Sequence, residues 1–185
     1  MAASRASVLI GCALFVGLMG FCHVVRQDLS PLLRGMSRYA GSDTLAVVTV
    51  AFLALAGATA ALASFLRHEQ ASCLLLFAAG GLVVVAATPI GNPATSVAVS
   101  ALHTLGGLAF YLGAVGAMSL SPSSAGDRVL SWIAAVVLSM FIGGAIGVPG
   151  LRLVVGLLQR GVFTLIIAWM VKLAVRRERA KIGGR

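Results

Sequence analysis

The sequence predicts an all-α membrane protein, a bundle of six transmembrane helices. Three observations carry this. Hydrophobic residues make up 59% of the 185-residue chain and charged residues only 10%, with a mean hydropathy of +1.03, whereas a soluble domain carries about 25% charged residues. Apolar runs near 20 residues long, the length a helix needs to cross the hydrocarbon core, recur at 7–25, 45–66, 71–89, 97–119, 129–149 and 151–174. None of them alternates in polarity as a membrane strand of about 10 residues would.

The first run follows Arg5 and reads "SVLIGCALFVGLMGFCHVV". It is too long for the apolar region of a signal peptide and no A-x-A site follows it, so we expect a retained first span. The second and third runs are joined by "RHEQ", the third and fourth by "TPIGNPATS", the fourth and fifth by "SPSSAGDR". Between the last two runs stands only "VPGLR", a tight turn of the Pro-Gly kind. Residues 26–44, "RQDLSPLLRGMSRYAGSDT", form the one sizeable loop. The domain expected is 1–175, followed by a basic tail at 176–185.

Charge orients the bundle. With both termini inside, the inner side holds nine Lys and Arg, including six after residue 171, and the outer side four: Arg26, Arg34, Arg38 and Arg152. The excess of basic residues on the inner side predicts a multi-pass protein of the plasma membrane with cytoplasmic termini. The net charge of +9 has no soluble domain to present it, so nucleic acid is not an expected partner. The tail suits anionic lipid of the inner leaflet. Cys12, Cys22 and Cys73 lie inside apolar runs at unrelated spacings, which argues against a disulfide framework or a zinc site and leaves them as buried thiols. Gly143 and Gly147, and the row Ala109, Gly113 and Ala117, have the small-residue spacing that lets helices approach closely. Such rows pack a bundle internally or join it to a second copy or a partner.

Chemistry is sparse. Gln159 and Arg160 sit side by side in "GLLQRGVFTLIIAWMVK". Counted from residue 151, Arg160 is about 14 Å into its span at 1.5 Å per residue, and a central arginine costs about 2.5–3.5 kcal/mol on insertion scales. The five acids, Asp28, Asp43, Glu69, Asp127 and Glu178, all lie outside the apolar runs. Arg160 is therefore met by backbone carbonyls and hydroxyls, with Gln159 and Thr164 near in sequence, or by an outer-loop carboxylate, or by an external anion such as a lipid phosphate, which suits a guanidinium fork. Lys172 is near enough to the inner end to snorkel.

His103 falls in the outer half of the fourth span, as an inter-helix hydrogen-bonding group, a general base or a ligand. His23 closes the first span, and a His23–His103 pair lacks any supporting spacing for haem. His68, beside Arg67 and Glu69, reads as solvated surface. In the outer loop, Arg34 and Arg38 are four apart and would share a helix face. With Ser37 and Tyr39 they could grip a headgroup phosphate or simply anchor the loop at the interface. No G-x-S-x-G, H-E-x-x-H or phosphate loop is present, and no cofactor or metal is implied.

Three segments, "PLLRGMSRYAGSDTLAVVTVAF", "SALHTLGGLAF" and "GLLQRGVFTLIIAW", resemble in their order the six-span prokaryotic membrane family catalogued as domain of unknown function 998. The resemblance implies the six-span fold and no activity. It would put Ser37, Tyr39, His103 and Arg160 at characteristic positions. It also implies an acid in the loop after the third span, where this chain has Asn92.

Three functions are consistent with these residues. The first is binding of an anionic lipid or headgroup in an outer-half cavity lined by Arg160, His103, Arg38, Ser37, Tyr39 and Gln159. The second is an accessory subunit of a larger membrane complex. The third is a membrane hydrolase or transferase with His103 as base and Ser37 as nucleophile.

Overall fold

The computed structural model describes residues 2–64, 66, 68–91, 95–122 and 124–182, with no side-chain detail at 2–4 and 177–182. Six helices carry the fold: α1 (Ala2–Val25), α2 (Leu45–Ala63), α3 (Glu69–Ala87), α4 (Val97–Leu120), α5 (Ala125–Ala145) and α6 (Val155–Ile182). All six are long and apolar enough to cross a membrane, and there is no strand among the described residues. Leucine, isoleucine, valine and phenylalanine remain on the outside of the bundle, for example Ile10, Leu76, Phe77 and Leu105, as lipid rather than water requires.

Each helix packs on the next in sequence, and α6 closes the ring by also meeting α1, α2 and α4. The row Ala109, Gly113 and Ala117 is used inside the molecule: a Cβ at Gly113 would lie 2.6 Å from the Leu74 carbonyl and 3.1 Å from the Ala78 side chain of α3. The Gly143–Gly147 spacing is not a helix groove. Gly147, at φ +97°, ends α5 in the left-handed region, where glycine carries no Cβ penalty.

Helix starts depart from the expected runs by up to five residues, and two of the departures have a local cause. α5 begins earlier because Ser124 caps it, its Oγ accepting from the Asp127 amide at 3.2 Å. α6 begins at Val155 because Leu151–Val154 form a 3-10 turn. At its far end α6 continues through the first part of the basic tail to Ile182. His68, expected as plain surface, caps α3 by accepting from the Ala71 amide at 3.3 Å. Cys12 and Cys22 are buried as expected, but Cys73 is exposed, because its face of α3 is turned away from α2 and α4. Arg67 and Asn92 lie outside the described residues.

An aromatic layer crosses the centre of the bundle. Phe163 of α6 stacks with Phe15 of α1 and with Phe110 of α4, each at a centroid distance of 5.1 Å, and meets Tyr111 edge-on at 5.4 Å. Pairs in these geometries add about 0.5–1.5 kcal/mol each beyond burial.

Candidate functional site: a cavity under the 26–44 loop

The long loop is folded down onto the start of α6, and this contact positions everything above the aromatic layer. Backbone amides at a helix start have no partner within the helix. Here Gly156 N donates to the Leu32 carbonyl at 2.8 Å and Leu157 N to the same oxygen at 3.3 Å. The loop comes so close that a Cβ on Gly156 would stand 2.5 Å from both the Pro31 and Arg34 carbonyls.

Gln159 and Arg160 hold the same loop. Gln159 Oε1 accepts from the Met36 amide at 2.7 Å. Arg160 Nη1 donates to the carbonyls of Pro31 at 2.6 Å, Arg34 at 3.0 Å and Gly156 at 2.9 Å. Its Nη2 donates to the Tyr39 hydroxyl at 2.7 Å. Of the three sources of neutralisation open to Arg160, the structure uses backbone carbonyls and a phenol. Thr164 instead donates to the Arg160 carbonyl at 2.9 Å. The carboxylates of the 26–44 loop are engaged elsewhere. Asp28 pairs with Arg26 at 2.8 Å, and the Arg26 hydrogen bond holds its carboxyl below the usual range. Asp43 accepts from Ser42 at 2.8 Å. Counted from Val155, Arg160 is five residues, about 8 Å, along α6, and the loop descends to meet it.

Tyr39 is the centre of this contact. Because its oxygen accepts from Arg160, its own proton is directed to His23 Nδ1, 2.9 Å away. Tyr39 is 1% exposed. Arg34 and Arg38 do not share a helix face. Gly35 between them is extended, at φ −64° and ψ 154°, and only Met36–Tyr39 form a 3-10 turn. Arg38 Nη1 donates to the Ile90 carbonyl at 3.2 Å, tying the loop to the end of α3.

Beneath the loop lies a cavity of about 280 Å³, near the lower bound of ligand pockets, which run from about 300 to 1,000 Å³. Its floor is the aromatic layer, with Phe110, Tyr111 and Phe163. Its wall includes Ser37, His103 and Gln159. Its mouth is a seam between α4 and α5, where the lining residues Thr104, Ala145 and Ile146 are exposed. Of the six residues the sequence singled out, the cavity brings together Ser37, His103 and Gln159. Arg38, Tyr39 and Arg160 stand outside its lining.

His103 has a defined role in this wall. Its Nδ1 lies 2.7 Å from the Thr88 carbonyl, with the Val85 carbonyl also beside the ring. A carbonyl only accepts, so Nδ1 carries the proton, and in the neutral ring Nε2 is an acceptor. The carbonyls of Thr88 and Val85 are the ring's hydrogen-bonding neighbours among the described residues, and no hydrogen bond holds the Ser37 hydroxyl. Tyr111, absent from the sequence candidates, brings its hydroxyl against the Gln159 side chain. It reads as an ordinary apolar-run aromatic, and only the facing of α4 and α6 reveals it.

A second charged cluster went unforeseen. Asp127, in the first turn of α5 with a fully buried side chain, pairs with Lys172 and, at 3.3 Å, with Arg176. Lys172 therefore does not simply snorkel; it staples α6 to α5. The signal was available, since Lys172 and Arg176 are four apart on a helix antiparallel to one that begins with an acid. No group of three or more metal-ligating side chains occurs among the described residues.

No curated protein and no solved structure matches this chain. The family described as "Protein of unknown function (DUF998)" matches residues 9–176, nearly the whole bundle with its 26–44 loop and both halves of the cavity, and the chain belongs to that family.

Proposed function

We propose that this multi-pass membrane protein binds a lipid-like molecule in the cavity between α4 and α5, with the ligand entering sideways from the bilayer. The observation that carries the reading is an apolar chamber within the spans whose mouth is formed by the exposed Thr104, Ala145 and Ile146 and whose far wall holds Ser37, His103 and Gln159. Mostly apolar pockets with a few convergent polar groups are the usual form of ligand sites. Native mass spectrometry after extraction in mild detergent tests it. Wild-type protein should retain a lipid-mass adduct. Gly107→Leu, at a lining position where an added Cβ meets nothing closer than 4.0 Å, should lose it. Absence of any adduct, or equal retention in both proteins, removes the proposal.

The orientation proposed has both termini in the cytoplasm of a plasma-membrane protein. Ser42→Cys, at an exposed loop position, in a Cys73→Ser background should react with a membrane-impermeant maleimide in intact cells. Reaction only after permeabilisation inverts the topology.

A second reading, a hydrolase or transferase with His103 as base and Ser37 as nucleophile, is supported by their common place on the cavity wall. Ser37→Ala should then abolish turnover of a lipid ester while leaving adduct retention intact.

A further inference from the structure

The hydrogen-bonding groups of the cavity and the charges kept out of it point to the chemistry of the occupant's polar end. This step rests on the ligand-binding reading above and narrows it. We infer that the ligand is a neutral amphiphile with a hydroxyl group, an aliphatic alcohol or a glyceride bearing a free hydroxyl, whose O–H is received by His103 Nε2.

The argument has three parts. First, the tautomer is set from behind. The Thr88 carbonyl at 2.7 Å takes the Nδ1 proton, so the ring presents an acceptor and no donor at Nε2. An incoming group must bring its own proton, which an alcohol does and an ether, ester oxygen or ionised carboxylate does not. Second, no cation lines the cavity among the described residues to pair directly with an anionic head. Arg160 donates to three carbonyls and the Tyr39 hydroxyl, and Arg38, near enough to His103 for its charge to act on the ring, turns its guanidinium to the Ile90 carbonyl. An anion brought into this chamber would lose its hydration without gaining a direct, hydrogen-bonded ion pair, which is costly in an apolar site. Third, the remaining polar neighbour can complete an alcohol's valences. A hydroxyl that donates to Nε2 keeps two lone pairs, and the Ser37 hydroxyl, with no hydrogen bond to the described residues, is on the same wall to donate to one of them. The apolar remainder of the molecule then lies over Phe110 and Phe163 toward the mouth.

The same chemistry occurs in a long-chain alcohol and in a monoacylglycerol, and separate probes distinguish them. Purified protein in nanodiscs would be titrated with oleyl alcohol, monoolein, oleyl methyl ether and oleate at pH 8. Oleyl alcohol, monoolein or both should bind, and whichever is tighter names the source. Oleyl methyl ether, equal in chain but lacking the donor, should bind at least about tenfold more weakly than oleyl alcohol, the worth of one well-made hydrogen bond, and oleate more weakly still. This comparison needs no variant. His103→Leu should bring the alcohol down to the ether's affinity without changing the ether's own. His103→Gln, which keeps an acceptor, should restore part of the preference. Equal binding of alcohol and ether, or tighter binding of oleate, overturns the inference while leaving a lipid-chain site in place. Failure of all four probes, or binding that Gly107→Leu does not reduce, instead removes the cavity reading on which it rests.

Discussion

Arg160 of α6 and Tyr39 of the 26–44 loop are joined twice: Nη2 donates to the phenol oxygen at 2.7 Å, and the guanidinium carbon lies 5.6 Å from the ring centroid. The pair links residues at opposite ends of the sequence and ties the loop to the bundle. Arg160→Gln should lower the stability of the detergent-solubilised protein by about 1.5–3 kcal/mol, the worth of a charged hydrogen bond, and should expose the 26–44 loop to protease. Tyr39→Phe, which keeps the ring and loses the hydroxyl, should cost less. A double-mutant cycle should return a coupling of about 0.6–1.7 kcal/mol, the range found between polar partners in membrane bundles. No coupling would mean that the two groups act separately.

Gly156 is predicted to tolerate nothing larger. An alanine Cβ would press into the Pro31 and Arg34 carbonyls at 2.5 Å, and these are the acceptors of Arg160. Backbone is on both sides of the contact, so it cannot yield as a side-chain tip would. Gly156→Ala should lower the melting temperature although it improves helix propensity by about 1 kcal/mol. Hydrogen exchange should rise at the amides of Gly156 and Leu157, which the loop now caps. A melting temperature equal to or above wild type counts against the close approach.

Asp127 should behave as the anchor of α5 on α6. Its side chain is fully buried, while Lys172 and Arg176 are 31% and 47% exposed. Removing the two cations together is therefore worse than removing the acid, because they can turn to water and the carboxylate cannot. The double variant Lys172→Ala with Arg176→Ala should cost about 3 kcal/mol, the low end for breaking a buried pair. Adding Asp127→Asn to it should recover most of that loss. Chemical denaturation of the three proteins checks the order.

Gly107→Leu should separate stability from occupancy. The site is inside α4, and its Cβ direction opens into the cavity. Glycine is about 0.8–1 kcal/mol worse than alanine in a helix interior and leucine ranks just behind alanine, so the substitution favours the helix as well as filling empty volume. The variant should melt higher than wild type while failing to hold a ligand, a combination that misfolding cannot produce.

The helices were legible because apolar length is a one-dimensional property, and six runs of the right length leave little choice of fold. Their ends were less so. The α5 start depended on Ser124 accepting from the Asp127 amide, and the α6 start on a 3-10 turn at Leu151–Val154, both local geometries that hydropathy does not record. The candidate site was legible as a residue set and not as an arrangement. Ser37, His103 and Gln159 meet at one cavity, yet Arg160, Tyr39 and Arg38 form the loop's fastening beside it. The difference lies in backbone carbonyls. Pro31, Arg34, Thr88 and Ile90 supply the acceptors that decide what each polar side chain does, and a carbonyl has no letter in the sequence. Asp127 with Lys172 was missed for a related reason, since hydropathy scores an acid and a base separately and takes no account of their pairing.

The fastening of the loop also constrains how the protein is made. Pro31 and Arg160 are 129 positions apart, so the ribosome delivers the loop well before its anchor. Until the sixth helix enters the membrane, the carbonyls of Pro31 and Arg34 have no guanidinium to close on, and the loop is held only where Arg38 meets Ile90 and Tyr39 meets His23. A nascent chain halted after the fifth helix would be inserted but incomplete. Quality-control proteases that sample such chains would find the 26–44 segment loose, and the sixth helix is the one that protects it.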